Sequence, residues 1–321
     1  MLSPPFTARG NMRGGLAEAG RAGIMRLNPM PEPAPPLPAV MPTPVAPLTA
    51  TGKNHSNENF PVGSWLVGPH ERPAIHAFYQ LVRLADDIAD DPLLDPPPKL
   101  QKLRRLSDVL THAHDEGHDA PQAVALRHVL QEKNITAQHA RDLLHAFQQD
   151  AVKRRYNTWD ELLDYCRYSA APVGRYVLAL HGEDEATWPA NDALCAVLQI
   201  TNHLQDMADD YRENDRVYLP LDILAQHGAD PAMLAAATSP APLKAAQRAM
   251  VEKLWPLLQQ ARQLPKQVRH FRLRLEISVI VSLATAMTHK LRRVDPLATN
   301  AKLNKFELAG ACVWGMMRAW F

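Results

Sequence analysis

From about residue 55 to the end of the chain, apolar side chains recur at three- and four-residue intervals. Ile75, Phe78, Tyr79, Val82 and Ala85 form one stripe, and Leu162, Leu163 and Cys166 begin another. Leu194, Val197, Leu198, Thr201 and Leu204 form a third, and Leu254, Leu257, Leu258 and Ala261 a fourth. This is the period of helices that turn one face to a core, and the alternation of strands is nearly absent. The stripes stop at helix-ending sequences: Asp91-Pro92 with Pro96 to Pro98, His181-Gly182, Tyr218-Leu219-Pro220, Ser239-Pro240 and Asp295-Pro296. No internal repeat interrupts the pattern. The expectation is one all-α domain of about ten helices over residues 53–321.

The first 52 residues read differently. Eleven of the 28 prolines fall in the first 50 positions, with four arginines and few large apolar residues. Such a segment buries too little surface to offset the entropy of ordering, so residues 1–52 read as a disordered, proline-rich tail. It has no continuous apolar core of a secretory signal, and Met25, Met30 and Met41 stand as alternative starts.

Composition narrows the class. A net charge of +1 gives no reason to expect a nucleic-acid partner. Cys166, Cys195 and Cys312 form neither a CxxC nor an even framework, which favours a reduced compartment. The longest apolar stretch, Ile277 to Met287, is too short to span a bilayer and is broken by Ser278, Ser282 and Thr285. The expected location is the cytoplasm.

Two acidic motifs carry the chemistry. In Arg83-Leu-Ala-Asp86-Asp87-Ile-Ala-Asp90, the carboxylates of Asp86 and Asp90 project from one helical face, which Tyr79 and Arg83 extend. Like charges so placed repel, and a divalent cation offsets that cost. Mg²⁺ suits such a face, since it takes few protein carboxylates and completes its shell with water and substrate phosphate. In the second motif, Gln199, Asn202, Asp206 and Asp210 line one face of an otherwise apolar helix, where buried polar groups need partners. A lone DxxxD is more often a solvated acidic face. Two of them, each with hydrogen-bonding companions, favour a metal and phosphate site.

Three further stretches bear on the site. Tyr165-Cys-Arg-Tyr-Ser-Ala-Ala-Pro172-Val-Gly174 predicts a helix broken where something comes close, against an ordinary helix junction. Arg212 to Arg216, with Tyr218, places cations and a phenol where a diphosphate could be gripped, against a charged helix exit. His112, His114, Asp115 and His118 imitate a metal site, but the hydrophilic stretch around Gly117 reads as a solvated loop. No inward Glu-x-x-His pairs of a di-iron bundle occur.

In order and spacing, these elements resemble the trans-isoprenyl squalene/phytoene synthases. The likeness runs from about Asn57 to Pro220 and covers both DxxxD motifs, the element at 165–174, and the run Gln199, Asn202, Asp206, Arg216, Tyr218, Pro220. Within the family it is most similar to the hydroxysqualene synthases of bacterial hopanoid pathways. Glu58 to Val62, Ser169 to Arg175 and Thr201 to Asp206 carry that narrower likeness. Ser56-Asn57, Gln205 and Pro172 depart from the broader family, which has His-Ser, Arg and an aliphatic residue or Thr there. These departures fit a subfamily with a different substrate.

The resemblance implies a class I isoprenoid synthase bundle around a central apolar cavity, with two Asp-rich helices holding a Mg²⁺ cluster. It implies conversion of presqualene diphosphate to hydroxysqualene, with water capturing a carbocation. Asp86, Asp90, Asn202, Asp206 and Asp210 are the implied metal ligands. Arg83, Gln199, Asn202, Arg216 and Tyr218 are implied at the diphosphate, and Tyr165, Arg83 and Tyr79 at the reacting centre. With no Gly-rich dinucleotide fingerprint, NADPH is not expected. The alternatives are condensation of two farnesyl diphosphates to presqualene diphosphate or squalene, and a non-catalytic scaffold that kept the fold. Apolar substrate and product, with the apolar stretch Leu308 to Phe321, suggest peripheral contact with the inner membrane and with pathway enzymes. A final helix packed on the domain is the other reading of that stretch.

Overall fold

The computed structural model describes residues 68–299 and 301–319. The tail at 1–52, the stretch Ser56 to Val62, and Trp320 and Phe321 lie outside the described residues. Twelve α-helices and no strands are present among the described residues. In chain order they are α1 (Arg72–Asp90), α2 (Pro96–Thr111), α3 (Pro121–Lys133), α4 (Gln138–Asp150), α5 (Trp159–Ser169) and α6 (Ala171–Leu180). There follow α7 (Trp188–Asn214), α8 (Leu221–Gln226), α9 (Ala241–Ala261), α10 (Leu264–Gln267), α11 (Phe271–Leu291) and α12 (Lys305–Arg318). The excess of two over ten matches α8 and α10, too short to show a period, while the stretch 159–180 divides into two helices at Ala170 (φ −130°, ψ −48°).

Two hydrophobic cores hold the helices. Leu81, Leu84, Leu103, Leu106, Leu126 and Leu144 anchor one among α1, α2, α3 and α4. Leu162, Val197, Ile200, Leu243, Leu254 and Leu258 anchor the other among α5, α7 and α9. A fully buried leucine contributes about 1.5–3 kcal/mol. α4 serves both, with Leu143 and Leu144 in the first core and Ala146 in the second. α6 also crosses: Tyr176 stacks on Phe78 at 4.0 Å and donates its hydroxyl to Ala74 O at 2.9 Å. The first acidic motif therefore rides on one core and the second on the other, so the site forms at the seam.

The expected close approach near Gly174 is helix against helix. A Cβ there would overlap the Asn191 side chain and lie 2.9 Å from Cys195 Sγ, both on α7. Asn191 is itself buried and donates to Ala171 O at 3.2 Å, so it cannot swing clear. Pro172 sits in the first turn of α6, where a missing N–H costs nothing.

Candidate active site

The half-buried face of α1 carries Tyr79, Arg83, Asp86, Asp87 and Asp90, opposite the buried Phe78, Leu81, Leu84 and Ile88. Arg83 clasps its own helix: it donates to Asp86 Oδ2 at 3.2 Å and Asp87 Oδ1 at 2.9 Å. The other oxygen of Asp87, Oδ2, is buried with no hydrogen-bond partner among the described residues.

α7 runs 27 residues from an apolar start to an acidic end. Gln199, Asn202 and Asp210 are half-buried, and Asp206 is exposed. Even so, desolvation by the neighbouring protein, then the Asp210 carboxylate, raises the Asp206 pKa above the usual carboxylate value.

The two faces are joined through residues buried between them. After α7 the chain turns at Asp215 (φ 49°) and pairs with the segment after α4, with Val217 N donating to Arg154 O at 2.9 Å and Leu221 N to Tyr156 O at 2.9 Å. That pairing buries Arg216 between the motifs. Its Nη1 lies 2.7 Å from Asp90 Oδ1, and its Nη2 donates to Asp150 O at 3.0 Å. Burial opposes the Arg216 charge, but Tyr218, Asp90 and Asp150 outweigh it and hold its pKa above the ordinary guanidinium value.

Asp150, the last residue of α4, is the hub of this seam. Its Oδ2 accepts from Tyr165 Oη at 2.8 Å and its Oδ1 from Tyr218 Oη at 3.3 Å. Burial drives its pKa upward, against the pull of Arg216 and the Tyr165 hydroxyl. Tyr156 packs with Tyr165 and Tyr218, at 5.2 and 5.5 Å between ring centroids. His203 stacks on Tyr218 at 3.5 Å, and its Nδ1 stands 3.9 Å from Asp210 Oδ2. A continuous path thus runs Asp90, Arg216, Asp150, Tyr218, His203, Asp210.

Further cations stand at the Asp90 end. Lys99 is buried with Nζ donating to Ala89 O at 2.8 Å, and its pKa is lowered by burial and then by Arg154 and Arg216. Arg154 also reaches Asp150 O, at 3.3 Å.

The structure thus brings Asp90, Tyr165, Asp210, Arg216 and Tyr218 into one network and leaves Arg83 on its own helix. Tyr165 and Tyr218 are buried, so they lie beneath the acidic faces rather than on them. Asp150, His203, Lys99 and Arg154 were missing from the sequence reading. Asp150 had a signal: it continues the stripe of Leu143 and Phe147 at helical spacing, a carboxylate on an apolar face. His203 had one too, seven residues before Asp210 and so on the same face.

Among the described residues, no three His, Cys, Asp or Glu side chains converge as a ready metal cage. The donor set nevertheless fits a divalent cation shared with a phosphate ligand: two carboxylate pairs, with Asp206 raised in pKa, and an orphaned carboxylate oxygen at Asp87. The histidine-rich stretch is built differently. Arg105 binds Asp115 and Asp119, while His112, His114 and His118 are exposed. The Arg105 hydrogen bond lowers the Asp115 pKa to about 2.

The squalene/phytoene synthase family model matches residues 53–307. The chain is 46% identical over 254 residues to the hydroxysqualene synthase of Sinorhizobium fredii, covering 79% of this chain and 86% of that protein. It is 46% identical over 267 residues to the hydroxysqualene synthase of Rhodopseudomonas palustris, covering 83% and 90%. Among solved structures, the squalene synthase HpnC from Alicyclobacillus acidocaldarius is similar, with TM-score 0.64 and 29% identity over 72% of this chain and 87% of that one. A dehydrosqualene synthase shares the fold, with TM-score 0.67 at 20% identity over 79% and 88%.

Proposed function

The chain belongs to the squalene/phytoene synthase family, and from that premise we propose that it is an isoprenoid synthase that converts presqualene diphosphate to hydroxysqualene in hopanoid biosynthesis. The observation that carries this reading is the 42–46% identity to three proteins named hydroxysqualene synthase, each matched over 86% or more of its length.

The diphosphate binds where the α1 and α7 carboxylates meet the cations at the seam. Asp86, Asp90, Asp206 and Asp210, with Asn202, would hold Mg²⁺ there. When bound, Mg²⁺ supplies charge neutralisation at the oxygen that departs with the diphosphate. Arg216 is a positioning residue: it fixes Asp90 from below and is itself fixed by the Asp150 carbonyl. His203 fixes the Asp210 side in the same way through Tyr218. Arg83, Tyr79 and Gln199 face the ligand from the flanks. The carbon–oxygen bond to diphosphate breaks, and the cyclopropylcarbinyl cation left behind rearranges in apolar surroundings. One water then adds its oxygen to carbon and loses a proton, giving the alcohol. Stray water must be kept out, because a carbocation reacts with any nucleophile. No step consumes a hydride, so NADPH has no place in this reaction. Peripheral membrane contact and pathway-enzyme partners belong to the same reading, since substrate and product are apolar.

The test is turnover of presqualene diphosphate in ¹⁸O-labelled water with Mg²⁺. The reading expects one ¹⁸O atom in the product alcohol. Unlabelled product or the hydrocarbon squalene would refute water capture.

A further inference from the structure

Beyond the site, α12 is unlike the other helices. Gly315 is its one buried residue, and Phe306, Leu308, Val313, Trp314, Met316 and Met317 are exposed, Phe306 at 89% and Trp314 at 56%. It is nonetheless firmly built. Asn304 and Glu307 form a capping box, Lys290 Nζ binds Glu307 Oε2 at 2.6 Å, and Gly315 meets the α11 backbone so closely that a Cβ would lie 2.6 Å from Val279 Cα. Exposed apolar surface on a rigid element marks an interaction face.

A cavity of about 680 Å³ opens beside it, between α11 and α12, with Arg262, Lys266, Arg293 and Arg318 on its wall. Glu307, the acidic residue of that lining, is already paired with Lys290. Arg262 Nε is buried without a hydrogen-bond partner, and the side chains of Lys266, Arg293 and Arg318 make no hydrogen bond or ion pair among the described residues. Unpaired cations beside exposed Trp and Met side chains complement one kind of surface, phosphate headgroups over acyl chains. Among the described residues, no helix is long and apolar enough to cross a membrane.

The geometry points to α12 and the basic cavity beside it as a docking surface for an anionic phospholipid bilayer, with Trp314 and Phe306 entering the headgroup region and Lys266, Arg293 and Arg318 on lipid phosphates. The surface argument stands on its own residues; its use, delivery of apolar substrate and product, rests on the proposed reaction.

Flotation of the full chain with phosphatidylcholine vesicles, with and without phosphatidylglycerol, tests it without any substrate. Binding is expected with phosphatidylglycerol and is expected to weaken with salt. Each cation near an anionic surface is worth about fivefold in partitioning, so Lys266→Glu/Arg293→Glu should lose about 25-fold or more. Trp314→Ser should lose about tenfold. The charge variant should keep its far-UV spectrum and its turnover of detergent-dispersed substrate, which separates lost docking from lost folding. Equal binding to both vesicles, no binding to either, or unchanged binding by folded variants overturns the proposal. So does a dimer that Trp314→Ser converts to monomer, because a second copy would then own the face.

Discussion

Replacing Arg216 by methionine keeps much of the side-chain volume and removes the cation from the seam. Asp90 then loses a partner at 2.7 Å, and the buried Asp150 carboxylate loses the guanidinium that opposes its desolvation. Breaking a buried pair from one side costs about 3–5 kcal/mol, because the remaining charge is left uncompensated. Asp150→Asn alone removes a charge that burial already disfavours but weakens two hydroxyl bonds, from Tyr165 and Tyr218, at about 1–3 kcal/mol. In the double variant the uncompensated carboxylate is gone, so the combined loss should fall short of the sum by about 1–3 kcal/mol. Urea unfolding followed by circular dichroism on all four proteins gives the coupling. Additivity to within about 0.5 kcal/mol would refute the idea that Arg216 and Asp150 hold the seam as one unit.

Asp86→Ala and Asp206→Ala should each lower turnover by about 10³-fold or more, the scale of lost metal-assisted charge stabilisation, while steady-state assay beside thermal melts shows little lost stability; unchanged cellular function in both would favour the scaffold alternative. Gly174→Ala should destabilise by about 1–3 kcal/mol through overpacking against Asn191 and Cys195, read as a lower urea midpoint. The Asp115 carboxyl is held at about 2 by Arg105, below its usual 3.8, so the native state binds its proton less readily than the unfolded chain. Its contribution is therefore present above pH ~4 and is lost as the pH falls through about 2. Solvent screens this pair, so Asp115→Asn should be about 0.5–1 kcal/mol less stable than the parent at neutral pH, with the gap closing in acid; a constant gap across that range would contradict the Arg105 assignment.

The parts of the molecule written in local spacing were legible in the sequence. Asp86 and Asp90, or Asp206 and Asp210, need only the four-residue step of one helix to share a face. The helix stops at Asp91-Pro92 and His181-Gly182 were readable because proline and glycine act on their own backbone, whereas Ser239-Pro240 opens α9 rather than ending a helix. The Pro172–Gly174 break was readable as well, but its reason was not, since Asn191 and Cys195 are brought there by another helix. The seam was the least legible part. Asp150 meets Tyr165 across 15 residues and Tyr218 across 68, and no periodicity encodes such meetings. Arg216 and Tyr218 were picked out as ligand-gripping groups; both are buried, and in the proposed reaction they hold the acidic faces in place. The apolar stretch from Leu308 onward belongs to a helix seated on α11 that leaves most of its apolar side chains in solvent.

Purified protein given Mg²⁺ with either presqualene diphosphate or farnesyl diphosphate, and the lipid and diphosphate products quantified, tests the central claim most directly. The account predicts consumption of presqualene diphosphate with hydroxysqualene and inorganic diphosphate formed in equal amounts. Consumption of farnesyl diphosphate while presqualene diphosphate is left untouched would contradict it.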